Sequence, residues 1–261
     1  MDMEVGKDLF FDRVTLLITH YNRPHSLLRL LQQFDALQMS FAEIIIADDG
    51  SKPENLHMID LLCDNKKVRI LTTTHNKGLG HNINKGQDAV RTPYTLYVQE
   101  DFLPTPLFRK EFAVAISLLE QDHSIDIARF FAYFKYPCLT PYKADFQLML
   151  FKPYSFLSSY RKFYAYSDHP HLRRKDFFSR FGRYVEGERG DKTEYKMMMS
   201  FLKNKGKGIA YVDHQALFEQ CNTEEEPSTM KRSGLRNSPN LFIACIRHIY
   251  RHIKFNLDYF F

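Results

Sequence analysis

Two acidic pairs in this sequence have the residue types and the setting to carry out chemistry. Asp48 and Asp49 precede Gly50 and Ser51. A carboxylate on such a turn can accept hydrogen bonds from a nucleotide base or a ribose, or it can cap a helix. Glu100-Asp101 is the second pair. A carboxylate there can hold a hard divalent cation that neutralises a departing diphosphate; a solvated acidic turn is the alternative.

A glycine-rich loop is the third feature. Residues 76–86 place glycines and small polar groups where a loop enters a helix. Backbone N–H groups and a helix N-terminus at such a loop can face a diphosphate or a ribose. Glycine also serves ordinary turns, so the loop alone is a weak indication.

Each of these features is positioned by a short element. Apolar runs typical of buried strands end just before both acidic pairs, and helical patterns separate the runs. Alternating strands and helices predict a mainly parallel sheet covered on both faces. Ligands of such sheets bind at the carboxyl ends of strands. The predicted strands are Val14–Thr19, Glu43–Ala47, Val68–Leu71 and Tyr94–Val98, with helices from Pro24 and over 54–64.

The second half of the sequence is less regular. Residues 130–170 are rich in Phe, Tyr and Pro. A helix is predicted over Thr193–Lys203 and a strand over Ile209–Val212. Residues 222–240 have the composition of a linker, and the pattern from Asn240 to Phe261 is helical.

Composition limits the protein class. The 261 residues are 44% hydrophobic and 15% aromatic, which excludes disorder over most of the length. No apolar run approaches the roughly 18 residues that span a bilayer. The N-terminus, Met1 to Glu4, has no secretory pattern. The four cysteines form no CxxC pair, so a zinc site or disulfide framework is poorly supported and a reducing, cytoplasmic location is expected.

Together the motifs resemble the inverting, family-2-like glycosyltransferases of the GT-A fold. The resemblance covers about residues 13–104 and is specific as a set, because order and spacing both agree. It implies a Rossmann-like α/β domain, here predicted over 1–221, with a donor half at 13–104 and an acceptor half at 105–221. The matching segments are Thr19-His20-Tyr21-Asn22-Arg23, Ala47-Asp48-Asp49-Gly50-Ser51, the loop from Asn76 to Gly86, and Gln99-Glu100-Asp101.

The resemblance implies a role for individual residues. Asp48 would contact the nucleotide base, and Asp101 would be the principal ligand of Mn²⁺ or Mg²⁺. Gln99 stands where the family usually has an aspartate, and an amide is a poorer ligand for a hard cation. Glu100 would then compensate, or Gln99 would act through water or ribose. The remaining predicted donor-binding residues are Tyr21, Arg23, Asn76, Gly78 and Asn84. His214 is a further candidate metal ligand, as a histidine is in some GT-A enzymes; a structural histidine after a strand is the alternative.

The family's catalytic base lies in an E-D pair at the start of a helix, about twelve residues before a glycine and a strand. Counting back from Gly206 gives Glu194, although Tyr195 replaces the aspartate. Glu194 is the leading candidate for the base that deprotonates the acceptor hydroxyl, with Asp191 and Glu188 as alternatives. A helix-start carboxylate that only interacts with the helix dipole is the other interpretation.

A loop over 166–174 concentrates polar and basic groups. It either touches the acceptor or the donor diphosphate, or it is a solvated loop.

The net positive charge of the sequence lies in its last 33 residues, 229–261, here called the tail. From Thr229 onward there are six basic residues and one acidic residue, so residues 1–228 are formally neutral and the net charge of +5 belongs to the tail. Ile246, Ile249, Ile253 and Leu257 share one helical stripe. Such a basic amphipathic helix can lie on an anionic membrane; packing on its own domain or on a partner subunit is the alternative. Nucleic-acid binding is not supported, because no recognised motif accompanies the charge.

The predicted function is transfer of a sugar from a nucleotide-diphosphate donor, UDP by family habit, to a hydroxyl of a glycan or lipid-linked glycan. The substitutions at Gln99 and Tyr195 keep open a non-catalytic nucleotide-sugar-binding module. A sugar nucleotidyltransferase is disfavoured, since His20 to Pro24 occupies the position of its expected glycine-rich motif.

Overall fold

A computed structural model describes residues 8–63, 68–155, 159–227 and 241–261. Its strands are β1 Leu9–His20, β2 Met39–Asp48, β3 Val68–Leu71, β4 Tyr94–Gln99, β5 Phe102–Pro104, β6 Ile127–Arg129, β7 Leu139–Lys143, β8 Phe146–Met149, β9 His171–Arg174, β10 Gly208–Tyr211 and β11 Phe218–Gln220. Its helices are α1 Pro24–Ala36, α2 Pro53–Cys63, α3 Leu79–Ala89, α4 Pro106–Gln121, α5 Phe177–Phe181, α6 Gly190–Lys203 and α7 Leu241–Phe260, with a 3₁₀ turn at Tyr160–Phe163.

The strands form a large mixed sheet in the order β3-β2-β1-β4-β9-β6-β10-β8-β7, and β5 and β11 pair separately. The first four strands run parallel, with His20 opposite Asp48 and Thr19 opposite Gln99. The carboxyl ends of β1, β2 and β4 therefore lie along one edge of the sheet. This places both acidic pairs of the sequence at the same edge.

Two hydrophobic cores cover the two faces of the sheet. Side chains alternate along a strand, so Leu16 and Ile18 of β1 face one core and Leu17 faces the other. Helices α1 and α4 pack on the first face, and α3, α5 and α6 pack on the second. Because both faces are covered, β1 and β4 contain continuous buried runs, Val14–His20 and Tyr94–Val98.

Gly86 permits a close approach of α3 to the sheet. A Cβ atom at this position would lie 2.4 Å from Cδ1 of Leu17 and 3.0 Å from Cβ of Ala47. The backbone of α3 therefore rests directly on β1 and β2, which fixes the loop before the helix at the carboxyl edge of the sheet.

The predicted fold class is confirmed: a mainly parallel sheet flanked by helices, with a C-terminal helix. The short strands β6 to β9 within 127–174 were not predicted, and β8 and β9 run antiparallel to their neighbours. No helix among the described residues is both long enough and apolar enough to cross a membrane. Cys138, Cys221 and Cys245 are free thiols. Most of the predicted linker (228–240), residues 1–7 and the Cys63 side chain lie outside the described parts of the chain.

Candidate active site

The turns after β1 and β2 are held together by side chains. The His20 Nε2 atom accepts a hydrogen bond from the Arg23 N–H at 3.1 Å, so the ring proton sits on Nδ1 and is donated to Asp48 Oδ1 at 2.8 Å. The Ser51 hydroxyl accepts from the N–H of Asn22 at 2.7 Å. These hydrogen bonds fix the turn that carries Asp48 to the turn that carries Arg23.

Asp48 is fully buried, and both of its carboxylate oxygens accept hydrogen bonds from the protein. The donors are His20, the backbone of Gly50, both the backbone and hydroxyl of Ser51, and the Thr72 hydroxyl at 2.7 Å. Burial alone would raise the pKa of Asp48, but these hydrogen bonds outweigh it and hold the pKa well below its usual value. In this conformation Asp48 organises the turn, and its contact with a base stays a prediction.

Asp49 was not predicted as a site residue, yet it holds the glycine-rich loop. Its two carboxylate oxygens accept from the N–H groups of Lys77 and Gly78, each at 2.9 Å. The Asn76 side chain also accepts from the Gly78 N–H, at 3.1 Å. The amides at the start of the loop, which were expected to face a diphosphate, are therefore bonded to an internal carboxylate.

Asn84 joins α3 to the segment before α6. Its amide exchanges hydrogen bonds with the Tyr184 backbone at 2.9 and 3.0 Å and donates to Glu186 at 2.8 Å. An open cleft results, lined by residues 75–78 on one side and 186–190 on the other. The predicted residues Asn76, Gly78 and Glu188 thus line one cleft, whereas the Asn84 side chain is buried in its wall.

Arg23 lies against the second acidic pair. Its Nη1 atom is 3.1 Å from Glu100 Oε1 and 3.5 Å from Asp101 Oδ2. Asp101 Oδ2 also accepts from the Gln220 amide at 2.9 Å. All four side chains come from the carboxyl edge of the sheet or from β11, which pairs with β5 next to it.

Among the described residues, Arg23 supplies one positive charge beside the two carboxylates of the acidic pair. Burial first, and then the charge of Asp101, raises the pKa of Glu100, which shows that the two carboxylates repel each other. A divalent cation would relieve this repulsion, and Mg²⁺ commonly binds one or two carboxylates plus substrate phosphates. No group of three His, Cys, Asp or Glu side chains in the described ranges is arranged to bind a metal. The residues therefore fit a cation whose other ligands come from the donor and from water, with Asp101 and Glu100 as its protein anchors.

The end of β4 also contacts the loop over 166–170, which in turn contacts helix α6. The Gln99 amide donates to the Asp168 carbonyl at 3.2 Å, and the Asp168 N–H donates to Glu194 Oε1 at 3.1 Å. The Asp168 side chain is 2% exposed and accepts from the Tyr184 hydroxyl at 2.5 Å. Burial, and next the charge of Glu194, raises the pKa of Asp168 to about 8.

The structure therefore forms two polar groups at the carboxyl end of β4. One joins Arg23 to Glu100 and Asp101, and the other joins Gln99 to Asp168 and, through it, to Glu194. The sequence indicated the loop of Asp168 but not its contact with Glu194, because nothing in a separation of 26 residues indicates it.

The remaining predicted catalytic and donor-binding residues are Glu188, Asp191 and Tyr21. Glu188 pairs with Lys192 and Lys196, and Asp191 lies 3.4 Å from Arg189. Tyr21 is partly exposed in the turn after β1.

His214 follows β10. Its carbonyl accepts from the Ala132 N–H at 2.8 Å, and it lines a small cavity with Phe131 and Tyr211. Its metal-binding role stays a prediction.

A segment after β11 completes the site, and we call residues 220–226 the strap. The Glu226 carboxylate accepts from the N–H groups of His25 and Ser26 at 3.0 and 2.7 Å, so it caps the N-terminus of α1. Arg23 donates to the Asn222 side chain at 2.7 Å and to the Glu226 carbonyl at 2.9 Å. These contacts were not predicted, since residues 222–240 were interpreted as a linker.

The family model described as Glycosyl transferase family 2 matches residues 15–182, which is more than half of the chain. The chain belongs to this family. The matched range contains both acidic pairs, the glycine-rich loop and Asp168, whereas Glu194 and the strap follow it. A comparison with curated protein sequences gave no significant match.

Solved structures share the fold. The S. aureus TarS 1–349 structure is similar at 15% identity with a TM-score of 0.59, over 80% of this chain and 60% of that one. Its complex with UDP-GlcNAc is similar at 16% identity with a TM-score of 0.62, over 93% of this chain and 73% of that one. The mannosyltransferase PcManGT from Pyrobaculum calidifontis, in complex with GDP-Man and Mn²⁺, is similar at 13% identity with a TM-score of 0.55, over 93% and 63%. The chain thus spans only about 60% of the length of the first of these structures.

Proposed function

We propose that this glycosyltransferase moves a hexosyl group from a nucleotide-diphosphate donor, preferentially UDP-linked, to a hydroxyl of a glycan or lipid-linked glycan. The observation that carries the proposal is the arrangement at the end of β4. Arg23 contacts Glu100 and Asp101 there, and the neighbouring Gln99 is bonded to Asp168, which in turn is bonded to Glu194. The sugar-nucleotide complexes of TarS and PcManGT support this class of donor. Polysaccharide synthesis in the cytoplasm is the setting that fits such an acceptor.

The residues are assigned to two tasks. The first is to neutralise the charge on the leaving diphosphate, and the second is to deprotonate the acceptor hydroxyl. Arg23 places a positive guanidinium beside the acidic pair, where the leaving diphosphate would gain charge. A divalent cation bound at Asp101 and Glu100 would supply further charge neutralisation.

Glu194 is the proposed base. It is only partly buried, whereas Asp168 is almost wholly buried, so Glu194 is the carboxylate that an acceptor hydroxyl can reach. Removal of the hydroxyl proton by Glu194 as the oxygen attacks the anomeric carbon is a single displacement, and it inverts the configuration. Asp191 and Glu188 remain alternative bases, because Glu188 lines the cleft just before α6 and Asp191 lies in the first turn of that helix.

Donor hydrolysis tests the first task. The wild-type chain with a UDP-sugar and Mn²⁺ should slowly release nucleoside diphosphate, and Asp101→Asn should reduce the release at least about a hundredfold, the usual cost of losing an electrostatic contact to the transition state. Asp145→Asn, at an exposed carboxylate, is the matched control. Equal release by wild type and Asp101→Asn would contradict the proposal.

Glu194→Gln tests the second task. This variant should bind donor as the wild type does but lose transfer to an acceptor, and NMR of the wild-type product should show the inverted anomer. Retention of configuration would exclude the single displacement.

One observation favours a second function, a non-catalytic nucleotide-sugar-binding module. Tyr195 stands where the family has an aspartate, and its hydroxyl is hydrogen-bonded to Asp258 of α7 rather than directed to the carboxyl edge. Donor binding without any release of nucleoside diphosphate would support this alternative.

A further inference from the structure

The C-terminal helix α7 packs on the domain through one narrow face. Phe255 is buried, with its ring centroid 4.8 Å from that of Tyr195 and 5.7 Å from that of Phe163. Arg251 donates to the Tyr160 hydroxyl at 3.1 Å. The helix is thus attached to α6 and to the 3₁₀ turn, and its opposite face points away from the domain.

The outer face of α7 is apolar and exposed. Ile246, Ile249 and Leu257 are each 52% exposed, and Ile253 is 53% exposed. These four residues are the stripe seen in the sequence, so the stripe is not the surface by which α7 packs on its own domain. A row of large apolar side chains about half open to water along one helix is a mark of an interaction surface.

Aromatic side chains extend this surface beyond the stripe. Tyr250 is 62% exposed on α7, and Phe260 near the helix end lies with its ring 5.6 Å from that of Tyr154, which is 76% exposed. Exposed Tyr and Phe beside aliphatic residues are typical of surfaces that rest at a membrane–water interface. We call Tyr250 and Phe260, together with the four residues of the stripe, the outer face of α7.

The charges of α7 indicate which partner this face suits. The helix carries Arg247, Arg251 and Lys254 against a single acidic residue, Asp258. Asp258 is already engaged, because it accepts hydrogen bonds from Lys254 and from the Tyr195 hydroxyl. Counted over its own residues, the helix therefore has three basic side chains and one acidic side chain, and its net charge is positive.

A second copy of this chain fits that charge poorly. A twofold contact brings the same patch of both subunits together, so the positive charges would face each other. An anionic lipid surface supplies the opposite charge and accepts the apolar side chains below its headgroups. A helix of 20 residues is about 30 Å long, which gives a long contact for one element.

We propose that the outer face of α7 lies flat on an anionic lipid surface and holds this protein there peripherally. The proposal is independent of the donor chemistry, because α7 contributes none of the residues assigned to the acidic pair or to the base.

Vesicle flotation tests the proposal with the full chain. The wild type should float with vesicles of phosphatidylcholine mixed with phosphatidylglycerol, should bind vesicles of phosphatidylcholine alone far less, and should be released by added salt. Ile249→Glu combined with Ile253→Glu should weaken binding at least tenfold. Leu61→Glu is the matched control, since Leu61 is a 65% exposed apolar residue on α2.

A second double variant tests the basic side chains without placing a charged group in the apolar outer face. Arg247→Gln combined with Lys254→Gln should leave the apolar side chains intact but weaken binding to anionic vesicles roughly fivefold for each charge removed. Donor hydrolysis should persist in both double variants, which shows that the site is still formed.

Three results would overturn the proposal: no flotation of the wild type, equal flotation of the Ile249→Glu, Ile253→Glu variant and the wild type, or equal binding to the two kinds of vesicle. Light scattering tests for the rival partner, a second copy of this chain. A wild-type dimer that the glutamates convert to a monomer, without vesicle binding, would assign the face to a second copy.

Discussion

At Asp168 and Glu194, a buried carboxyl group lies beside a partly exposed one. Burial and the charge of Glu194 raise the pKa of Asp168 to about 8, far above the ordinary value of about 4. Between about pH 4 and pH 8, the folded protein therefore keeps a proton on Asp168 that the unfolded chain has released. This makes the stability of the whole chain sensitive to a residue that sequence reasoning did not single out.

We predict that Asp168→Asn is more stable than the wild type at neutral and alkaline pH. The raised pKa favours folding fully below about pH 4, and that contribution is lost as the pH rises through about 8. Asparagine cannot ionise and still accepts from the Tyr184 hydroxyl, so the variant's advantage should grow over this range to the order of 2–5 kcal/mol. Urea unfolding at several pH values, with Asp145→Asn as control, measures it. A difference that does not change with pH would contradict the argument.

The sequence predicted the location of single residues better than their partners. Asp48 and Asp101 were placed at the sheet edge because each directly follows an apolar strand. That Asp48 is saturated by His20, Ser51 and Thr72 could not be predicted, because Thr72 approaches only after β3 pairs with β2. Whether such a residue can contact the donor depends on which of its polar atoms are not already bonded within the protein. The spacing of residues in the sequence does not show this.

At the level of elements, the strap and α1 depend on each other. Arg23, the residue before α1, makes no side-chain cap for the helix, and the Glu226 carboxylate fills that place from the strap. Hydrogen bonds from Ser26 and His25 outweigh burial and lower the pKa of Glu226. The helix N-terminus therefore holds the strap against the acidic pair.

We predict that Glu226→Gln destabilises the fold by about 1–2 kcal/mol, the usual cost of losing a cap and a favourable charge at a helix N-terminus. Unfolding by urea measures the loss, and limited proteolysis should cut the strap faster in the variant. Glu225→Gln is the matched control, because its side chain is exposed. Two variants of equal stability would show that the cap contributes nothing.

Elements with a recognisable residue pattern were predicted even when short, and those without one were not. Strand β3 was predicted with its observed bounds, and β4 within one residue, because both are rich in apolar and β-branched residues. Strand β6 has three residues and β7 contains Pro141, so neither shows a pattern long enough to detect. Strand β9, with the buried Arg173 stacked over Tyr97, is polar in sequence and is recognisable only from its neighbours.

For the whole molecule, donor binding should be visible as stabilisation. A ligand at a hundred times its Kd stabilises the folded state by about 2.7 kcal/mol. For a chain of this size, that corresponds to a rise in Tm of roughly 5–10 °C. Thermal melts with a panel of nucleotide sugars and Mn²⁺ measure it, and Asp101→Asn should lose the part that depends on Mn²⁺. No shift with any nucleotide sugar would argue against the assignment of the donor site.

Arg23 and its strap partners Asn222 and Glu226 are separated by 199 and 203 residues. During synthesis the ribosome delivers the acidic turns and the glycine-rich loop long before it delivers the strap. A nascent chain can therefore assemble its parallel strands while Arg23 still lacks these partners. The hydrogen bonds that fix the Arg23 guanidinium to the strap should therefore form only once translation has passed Glu226.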